Sequence, residues 1–571
     1  MRRFKITILI SLILVAVLAT VFSYNFSASS SELVEVDGTT LLKLTVGNQS
    51  HLIWPWYSEV DERYYYVIPS YAKDDFEEGK EVEIRVLNST RLAQYKCTDN
   101  ISSLFIDTES GNNNLLLESV DNAEKGTLQE VTSRGKTAYL GEIAKIKGRG
   151  NSTWTNEDKK PLAVTLSESA SICELEPGKK YALHAMRYEG DKLHSKFIYD
   201  MESELGAEFT TGCNWANVYL NGRYFGLYLV EEAHKVEEGR IELPQDAILF
   251  QRASSDRSGG GQYFTIENDE GIFLMESPKE VSAERLDEIQ QTIRIIDYQI
   301  HQGDFSNIDM ESFAKYFLAD ELSMGYDAFK NSCYFYQLEP GGKLYAGPVW
   351  DYDLSFGETN FADEKYADPN VSIIDARSGQ LDWYKILYQN DEFRLILENN
   401  IRKLLPWFHE YLEETVDKQE AAISKSAEID TLRWSNVPSI KYKKEGSLGS
   451  YVSLSLACKS YRHPGGSYQS LHNNIRFFKY FLSSRINYLM DELGMDDERF
   501  KIETLDVYHT VTFMKRGDIV EEISVKDGDF ISDFPDEYLE EDEKWRMNWC
   551  MDSYNGKLPI FEDVILRSIR E

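Results

Sequence analysis

The sequence predicts an α+β protein in which a β-rich half precedes a mostly helical half. Alternating apolar residues, the pattern of half-buried strands, dominate from Ser103 to about Glu232. From Leu286 onward the apolar residues follow the period of an α-helix. Four of them fall near one helix face: Ile289, Ile293, Ile296 and Ile300. This change of period predicts two structural halves with a crevice between them.

Shorter patterns place the other elements in chain order. Strand-like runs at 64–68 and 83–86 predict a small β module over residues 32–100, and a helical pattern at 197–205 interrupts the strands that follow. Later predictions are helical runs at 313–322, 395–405 and 475–493, with Pro406 interrupting the second, and strands at 510–513, 522–525 and 564–566. We therefore expect a two-lobed core over residues 101–495 and a second β module over residues 505–571.

The composition excludes several functional classes. The chain has 571 residues and a formal net charge of −35, which argues against nucleic acid as a partner because phosphate backbones are bound by cationic surfaces. Hydrophobic residues make up 42% and aromatic residues 13%, too much apolar surface for a disordered polyanion. The six cysteines form no C-x-x-C pair and the nine histidines no H-E-x-x-H, so zinc-ribbon and zincin motifs are absent from the sequence.

The N-terminal segment predicts export. A basic flank at residues 1–5 precedes an apolar run from Ile6 to Phe22, which lies between a signal-peptide core and a full membrane span in length. Residues 1–26 are therefore interpreted as a signal peptide or membrane anchor. Cleavage near Ala19 or Ala28 and retention as an anchor are both open, and we favour the anchor. Either alternative leaves the rest of the chain outside the cytoplasm.

A basic glycine loop is the first candidate site. Residues 147–154 read KGRGNSTW, in which Arg149 lies between the two glycines and Ser152 follows them. Lys159 and Lys160 come shortly after this loop. Glycines let a backbone close around an anion while cationic and hydroxyl side chains supply donors, an arrangement that suits phosphate. A tight turn between strands with solvated basic residues is the structural alternative.

Two acidic clusters follow in the helical half. Asp327 precedes Asn331 by four residues, after a predicted helix and before a predicted strand, which can place a carboxylate and an amide oxygen at one crevice; an ordinary helix end is the alternative. Asp351 and Asp353 lie two apart in the apolar run 349–356. In an extended strand both would face one side, as a hard-cation site or a coupled acid pair.

The order of these clusters matches the parts used in phosphoryl transfer. Kinases arrange a phosphate loop, a lysine, a catalytic Asp with an Asn, and a metal-binding Asp in this sequence. A glycosidase with a carboxylate pair is the other chemistry considered. It accounts for Asp351 and Asp353 but leaves the glycine loop without a role.

Three motifs give a specific resemblance. Residues 146–154 (IKGRGNSTW), 218–232 (VYLNGRYFGLYLVEE) and 348–353 (PVWDYD) resemble the signature motifs of CotH-type proteins, the spore-coat protein H kinase family. The resemblance covers about residues 103–493. It implies an atypical protein-kinase-like fold, with a β-rich N-lobe and a helical C-lobe, and Mg-ATP-dependent phosphorylation of Ser or Thr on protein partners such as spore-coat proteins.

The resemblance also implies roles for individual residues. Asp327 corresponds to the catalytic Asp that deprotonates the acceptor hydroxyl. The implied magnesium ligands are Asn331, Asp351 and Asp353. The implied ATP contacts are Arg149 and Lys160 with Lys159 as the rival lysine, Ser152 in the glycine loop, and Glu231 and Glu232 near the adenine.

The sequence departs from the family and from ordinary kinases in three respects. No H-R-D or D-F-G is present, and Asn331 follows Asp327 by four residues instead of five. Relatives show an Arg-Asn pair where this chain has His194 and Ser195, at the start of the helix that corresponds to αC. That helix offers three acids to pair with the phosphate-binding lysine, between which the sequence does not choose: Asp200, Glu202 and Glu204.

The C-terminal tail resembles a degenerate copy of the small β repeats of bacterial surface proteins. This resemblance rests on HTVTF at 509–513, VKDGD at 525–529 and NGK at 555–557, and it implies presentation or binding at a surface. A catalytically silent surface or coat-assembly protein that keeps the kinase-like fold is therefore the alternative to an active kinase. If proteins are the substrates, the acidic chain favours basic, Ser- and Thr-rich partners.

Overall fold

A computed structural model describes most of the chain. The described residues are 30–58, 62–156, 158–237, 239–257, 259–358, 366, 368–376, 381–434, 441–443, 451–453, 470–547 and 558–570. They form a mixed α+β structure with about 30% helix and 33% strand, as the sequence predicts. The proposed anchor at 1–26 lies outside these residues. Among the helices that the structure describes, none combines the length and the apolar character that a membrane span needs.

Two small sheets form the N-terminal part. The strands are β1 (Ser30–Val36), β2 (Thr39–Val46), β3 (Gln49–Ile53), β4 (Trp56–Ser58), β5 (Arg63–Ile68), β6 (Glu81–Val86) and β7 (Ser89–Cys97). They are ordered β1-β2-β3 and β4-β5-β7-β6. Leu42 and Tyr66 from these sheets share an apolar cluster with Phe105 and Tyr219 of the next part, so the N-terminal sheets are packed against it.

A closed seven-stranded barrel follows. Its strands are β8 (Ser102–Thr108), β9 (Ala123–Val131), β10 (Thr137–Gly148), β11 (Leu162–Ala170), β12 (Gly178–His184), β13 (Cys213–Leu220) and β14 (Arg223–Glu232), in the order β10-β11-β12-β14-β13-β8-β9. Closure leaves no free sheet edge. Three helices lie between these strands: α1 (Asn113–Leu117), α2 (Ser152–Asn156) and α3 (His194–Leu205).

In the following part, the described residues form a second sheet and seven helices. The strands are β15 (Ile248–Ala253), β16 (Tyr263–Phe264), β17 (Ile272–Ser277), β18 (Cys333–Gln337) and β19 (Tyr345–Ala346), in the order β16-β17-β15-β18-β19. The helices are α4 (Ala283–His301), α5 (Met310–Ser323), α6 (Ile373–Ala376), α7 (Trp383–Leu387), α8 (Asp391–Glu410), α9 (Val416–Trp434) and α10 (Leu471–Glu492). A short pair, β20 (Lys441–Lys443) and β21 (Tyr451–Ser453), precedes α10.

Local chemistry explains where these helices begin. The side chains of Ser282, Asp309 and Asn390 accept backbone N–H groups in the first turns of α4, α5 and α8, which satisfies donors that a helix start leaves free. The four isoleucines predicted to share one face of α4, at 289, 293, 296 and 300, are all buried, whereas Ile295 lies off that face and is exposed. The prediction that Pro406 interrupts the helix is wrong, because α8 continues through it and passes into a π-helical turn at Tyr411–Thr415.

Four strands form the C-terminal sheet. They are β22 (Tyr508–Lys515), β23 (Asp518–Lys526), β24 (Glu543–Met547) and β25 (Val564–Arg570), in the order β23-β22-β25-β24. Asp527, just after β23, fixes this sheet to α10. Its carboxylate accepts two hydrogen bonds from Arg476, at 2.9 and 2.5 Å, and one from the backbone N–H of Leu505 at 2.7 Å, and it lies 2.9 Å from His509 Nε2.

Replacing Asp527 with Asn is expected to loosen this attachment. Burial alone would raise the pKa of Asp527, but the hydrogen bonds from Arg476, Leu505 and His509 hold it well below its usual range. The stabilisation is therefore present above the unfolded-state pKa near 4 and is lost as the pH falls through the lower folded-state pKa. We expect Asp527→Asn to cost about 2–3 kcal/mol, measured as faster amide hydrogen exchange in β22 and β25. Equal exchange in Asp527→Asn and the exposed control Asp529→Asn would contradict this.

Candidate functional site

Three loops bring the predicted acidic residues together. Asp327 and Asn331 lie between the end of α5 and the start of β18, and Asp351 and Asp353 lie in the segment after β19. Arg149 follows the last residue of β10. The charges of Asp327, Asp353 and Arg149 all act on the Asp351 carboxylate. Residues from three separate motifs therefore share one site at the junction of the barrel and the helical part.

Asp351 occupies a special backbone position in this site. It has a φ of 75°, a left-handed conformation that non-glycine residues rarely adopt. The prediction that Asp351 and Asp353 share one face of an extended strand is therefore wrong. Ser332 Oγ donates to Asp351 Oδ2 at 3.0 Å, which fixes the carboxylate across the loop that follows Asn331.

The pKa of Asp351 reports the crowding of negative charge. Asp351 is partly exposed to solvent, but the protein atoms around its carboxylate remove part of the water. This desolvation is the main cause that raises the pKa of Asp351 to about 6. Asp353 and Asp327 raise the pKa further, whereas Arg149 and the Ser332 hydrogen bond lower it. The charges of Asp327 and Asp353 thus repel that of Asp351, and a divalent cation would relieve this repulsion.

Asn331 and Asp327 are hydrogen-bonded to each other. Asn331 Nδ2 donates to Asp327 Oδ1 at 2.6 Å. Asn331 Oδ1, the atom expected to bind magnesium, accepts from both the backbone N–H and the hydroxyl of Ser254, each at 2.9 Å. This oxygen therefore already has two partners, and a metal would have to share it or replace Ser254.

Arg149 reaches the site from the glycine loop. Its guanidinium lies 3.5 Å from Glu231 Oε2 and over the ring of Trp350. Thr153, also from this loop, donates to Asp353 Oδ2 at 3.5 Å. The loop thus contacts the acidic segment directly. Ser152 opens α2, and its side chain lies outside the described part of the structure.

The two predicted adenine-side glutamates point to different surroundings. Glu231 is buried between Arg149 and His184. Glu232, the next residue along the strand, accepts instead from the backbone N–H groups of Glu176 and Gly212. Successive side chains of a strand face opposite sides, so only Glu231 of this pair reaches the charged site.

The two candidate lysines also differ. Lys159 is completely buried, where it lies 2.8 Å from Asp430 Oδ1, donates to the Leu227 carbonyl at 2.5 Å and sits over the Tyr228 ring. Burial lowers the pKa of Lys159 to about 8, and Asp430 partly opposes this shift. The half-buried Lys160 donates to the Trp154 carbonyl. Of the two lysines, Lys159 is thus enclosed by the fold.

None of the three acids of α3 is the partner of Lys159. Asp200 pairs with Lys196 at 2.9 Å, and Glu204 is exposed. Burial raises the pKa of the third acid, Glu202, to about 7. The partner of Lys159 is Asp430 of α9, which the sequence analysis did not consider. The αC-type pairing expected for α3 is therefore not the one that Lys159 makes.

His184 belongs to the site although it lies in none of the three sequence motifs. Its Nδ1 lies 3.2 Å from Glu231, and its Nε2 lies 3.7 Å from Glu189 and 3.9 Å from Asp353 Oδ2. Burial alone would lower the pKa of His184, but Glu231, Asp353 and Glu189 outweigh it and raise the pKa well above the usual value. A charged imidazole therefore balances carboxylates behind the acidic cluster. His184 is the last residue of β12, whose sequence GKKYALH contains no motif that would have indicated this role.

A family comparison decides what this arrangement belongs to. The family described as CotH kinase protein matches residues 146–489, more than half of the chain. The chain belongs to this family. The match begins next to the glycine loop and includes Asp327, Asp351 and Asp353. No curated protein matches the chain.

The residues of this CotH-family chain fit the cofactors that a kinase family implies. Carboxylate and amide oxygens are the ligands that Mg²⁺ prefers, and Asp351, Asp353 and Asn331 are the residues here that would supply them. The raised pKa of Asp351 marks a surplus of negative charge that a divalent cation would neutralise. The guanidinium of Arg149 lies beside this cluster. Its N–H groups are arranged so that two of them can donate to two oxygens of one phosphate.

Proposed function

We propose that this chain is an exported CotH-type protein kinase that transfers the γ-phosphate of Mg-ATP to Ser or Thr of cell-surface or spore-coat proteins. The convergence of Asp327, Asp351, Asp353 and Arg149 carries the proposal. It supplies a base, cation ligands and a phosphate contact within one site, which is what phosphoryl transfer requires.

Each residue has a stated task in the proposed reaction. Asp351, Asp353 and Asn331 hold magnesium, which when bound neutralises phosphate charge. Arg149 and Lys160 contact phosphate oxygens, while Lys159 with Asp430 supports the strand behind them. Asp327 accepts the proton of the acceptor hydroxyl as its oxygen bonds to the γ-phosphorus. The bond from that phosphorus to the β-phosphate oxygen breaks, and ADP leaves with the electron pair.

The location and the partners are part of the proposal. The apolar run at 6–22, preceded by its basic flank, supports export with retention at the membrane. The net charge of −35 supports basic protein substrates, because opposite charge speeds encounter. The resemblance of the tail to surface repeats supports a surface location. Nucleic acid is not a proposed partner.

A catalytically silent surface or assembly protein is the second candidate. The contacts of Asn331 Oδ1 with Ser254 and of Arg149 with Glu231 favour it, since both predicted ligand groups already have protein partners. An active kinase requires these contacts to rearrange when Mg-ATP binds. The two candidates therefore differ in whether Mg-ATP binds at all.

Replacing Arg149 with Ala is expected to weaken ATP binding about 10-fold while the fold stays intact, because one charge-assisted phosphate contact is worth roughly 1.5–3 kcal/mol. Titration calorimetry with Mg-ATP on the purified full chain measures the change. Lys145→Ala, an exposed substitution on β10, is the matched control. Equal affinities in wild type and Arg149→Ala would remove Arg149 from the site, and no Mg-ATP binding by the wild type would favour the silent protein.

A further inference from the structure

A buried group of three side chains lies directly behind the acidic segment. Asp191, His194 and Glu358 are all buried, and one nitrogen or oxygen atom of each lies within 4.8 Å of the others. His194 Nε2 lies 2.9 Å from Asp191 Oδ2 and 3.6 Å from Glu358 Oε2. The backbone N–H groups of Leu193 and Gly190 donate to Asp191 and Glu358, each at 2.6 Å. The group is thus closely connected to the loop before α3.

The other nitrogen of the same imidazole contacts the predicted magnesium segment. His194 Nδ1 lies 3.2 Å from the backbone carbonyl oxygen of Asp353. Glu358 is five residues further along, so one ring contacts the segment 353–358 at both ends. The ring of Phe356, between these ends, packs 5.2 Å from the imidazole. His194 therefore connects the first turn of α3 to Asp353, Phe356 and Glu358 of this segment.

The oxygen atoms nearest the two imidazole nitrogens are both hydrogen-bond acceptors. A backbone carbonyl lies beside Nδ1 and a carboxylate oxygen beside Nε2, so the geometry suits a ring that donates from both nitrogens. With both N–H groups present, Nδ1 donates to the Asp353 carbonyl and Nε2 to the carboxylate of Asp191. A hydrogen bond of this kind orients the groups on which a metal site depends.

We propose that His194 is a positioning residue that holds Asp353 in place for magnesium, through the Asp353 backbone carbonyl, and closes the segment 353–358 against α3 through Glu358. This inference rests on the proposed function, since it concerns the same magnesium site.

The test measures the magnesium dependence of ATP binding in the full chain. In His194→Gln the side-chain amide can still donate towards Asp191 but is not placed to reach the Asp353 carbonyl. In His194→Asn the shorter amide can donate near the Nδ1 position. We expect the Mg²⁺ concentration at half-saturation to rise about 10-fold in His194→Gln and less in His194→Asn, because outer-shell changes cost 10–100-fold in metal affinity. His472→Gln, at an exposed site, is the control.

The magnesium midpoint separates positioning from a purely structural role. A lower melting temperature with an unchanged midpoint in His194→Gln would overturn the inference. If His194→Gln does not fold, Glu358→Gln is the second variant, since it keeps His194. We expect Glu358→Gln to raise the Mg²⁺ midpoint about threefold. An unchanged midpoint in Glu358→Gln would also overturn the inference. One equivalent of a transition metal in the purified wild type, lost in His194→Gln, would instead identify the three side chains as a metal site and contradict positioning.

The same titration distinguishes this inference from the proposed function. If Asp351→Asn loses Mg²⁺-dependent ATP binding while His194→Gln keeps the wild-type midpoint, the positioning role fails and the kinase proposal stands. If the wild type shows no Mg²⁺-dependent ATP binding, both fail. A shifted midpoint in His194→Gln together with loss in Asp351→Asn supports both.

Discussion

Replacing Asp351 with Asn is expected to abolish the Mg²⁺ dependence of ATP binding. The amide keeps the shape of the side chain but removes the charge that competes for the hydrated cation. We expect the apparent Mg²⁺ affinity to fall by more than about 100-fold, since changes even one shell further out cost 10–100-fold. Thermal shift of the full chain with ATP across a Mg²⁺ titration measures this effect.

The metal-free protein should respond in the opposite direction. The charges of Asp353 and Asp327 repel that of Asp351, and this repulsion contributes to the raised pKa of Asp351. Removing one of three repelling charges should leave the melting temperature without Mg²⁺ unchanged or higher. Asp506→Asn, the same chemical change at an exposed carboxylate, is the control. An unaltered Mg²⁺ midpoint in Asp351→Asn would show that this residue is not a ligand.

Replacing Asp430 with Ala should destabilise the barrel strongly. Lys159 would lose its buried counter-charge, and the backbone N–H of Leu227 would lose its acceptor at 3.0 Å. Removing one partner of a buried ion pair costs about 3–5 kcal/mol, because the remaining charge is left uncompensated. Denaturant unfolding of the full chain, followed by hydrogen exchange of β14, measures the loss.

Two further variants make this prediction specific. Glu428→Ala lies on the same helix at an exposed position and should change the stability by less than about 1 kcal/mol. The double variant Lys159→Met with Asp430→Leu should recover much of the loss, since an apolar pair can replace a buried ion pair. If Asp430→Ala and Glu428→Ala were equally stable, the buried pair would not support the barrel, and Lys159 would again be a candidate for phosphate binding.

Periodicity predicted the elements whose burial is governed by local sequence. The four buried isoleucines of α4, at 289, 293, 296 and 300, are one example, because their spacing places them on one face of a helix. At Pro406 the local pattern predicted a helix end that the structure does not have. Proline removes one N–H and crowds the preceding turn, but the π-helical turn that follows α8 and the apolar packing of Leu404 and Phe408 keep the helical path. Tertiary packing of this kind is not visible in a local pattern.

The site was predictable only where its residues lie in short motifs. Asp327, Asp351, Asp353 and Arg149 were found because each belongs to a recognisable run. His184 and Asp430 were not, because their partners are distant in sequence: Asp430 meets Lys159 only through the packing of α9 on β14. The left-handed φ of Asp351 could not be predicted either, because a carboxylate within an apolar run is the pattern of an extended strand.

Transfer of radiolabelled γ-phosphate is the measurement that tests the proposed kinase most directly. The purified full chain is incubated with Mg-ATP and a basic, Ser-rich protein acceptor, beside Asp327→Asn and a Mg²⁺-free sample. The proposal predicts Mg²⁺-dependent incorporation on Ser or Thr by the wild type, reduced about 10²–10⁴-fold in Asp327→Asn, since that variant lacks the base. Incorporation that is equal in wild type and Asp327→Asn, or absent from the wild type although Mg-ATP binds, would contradict it.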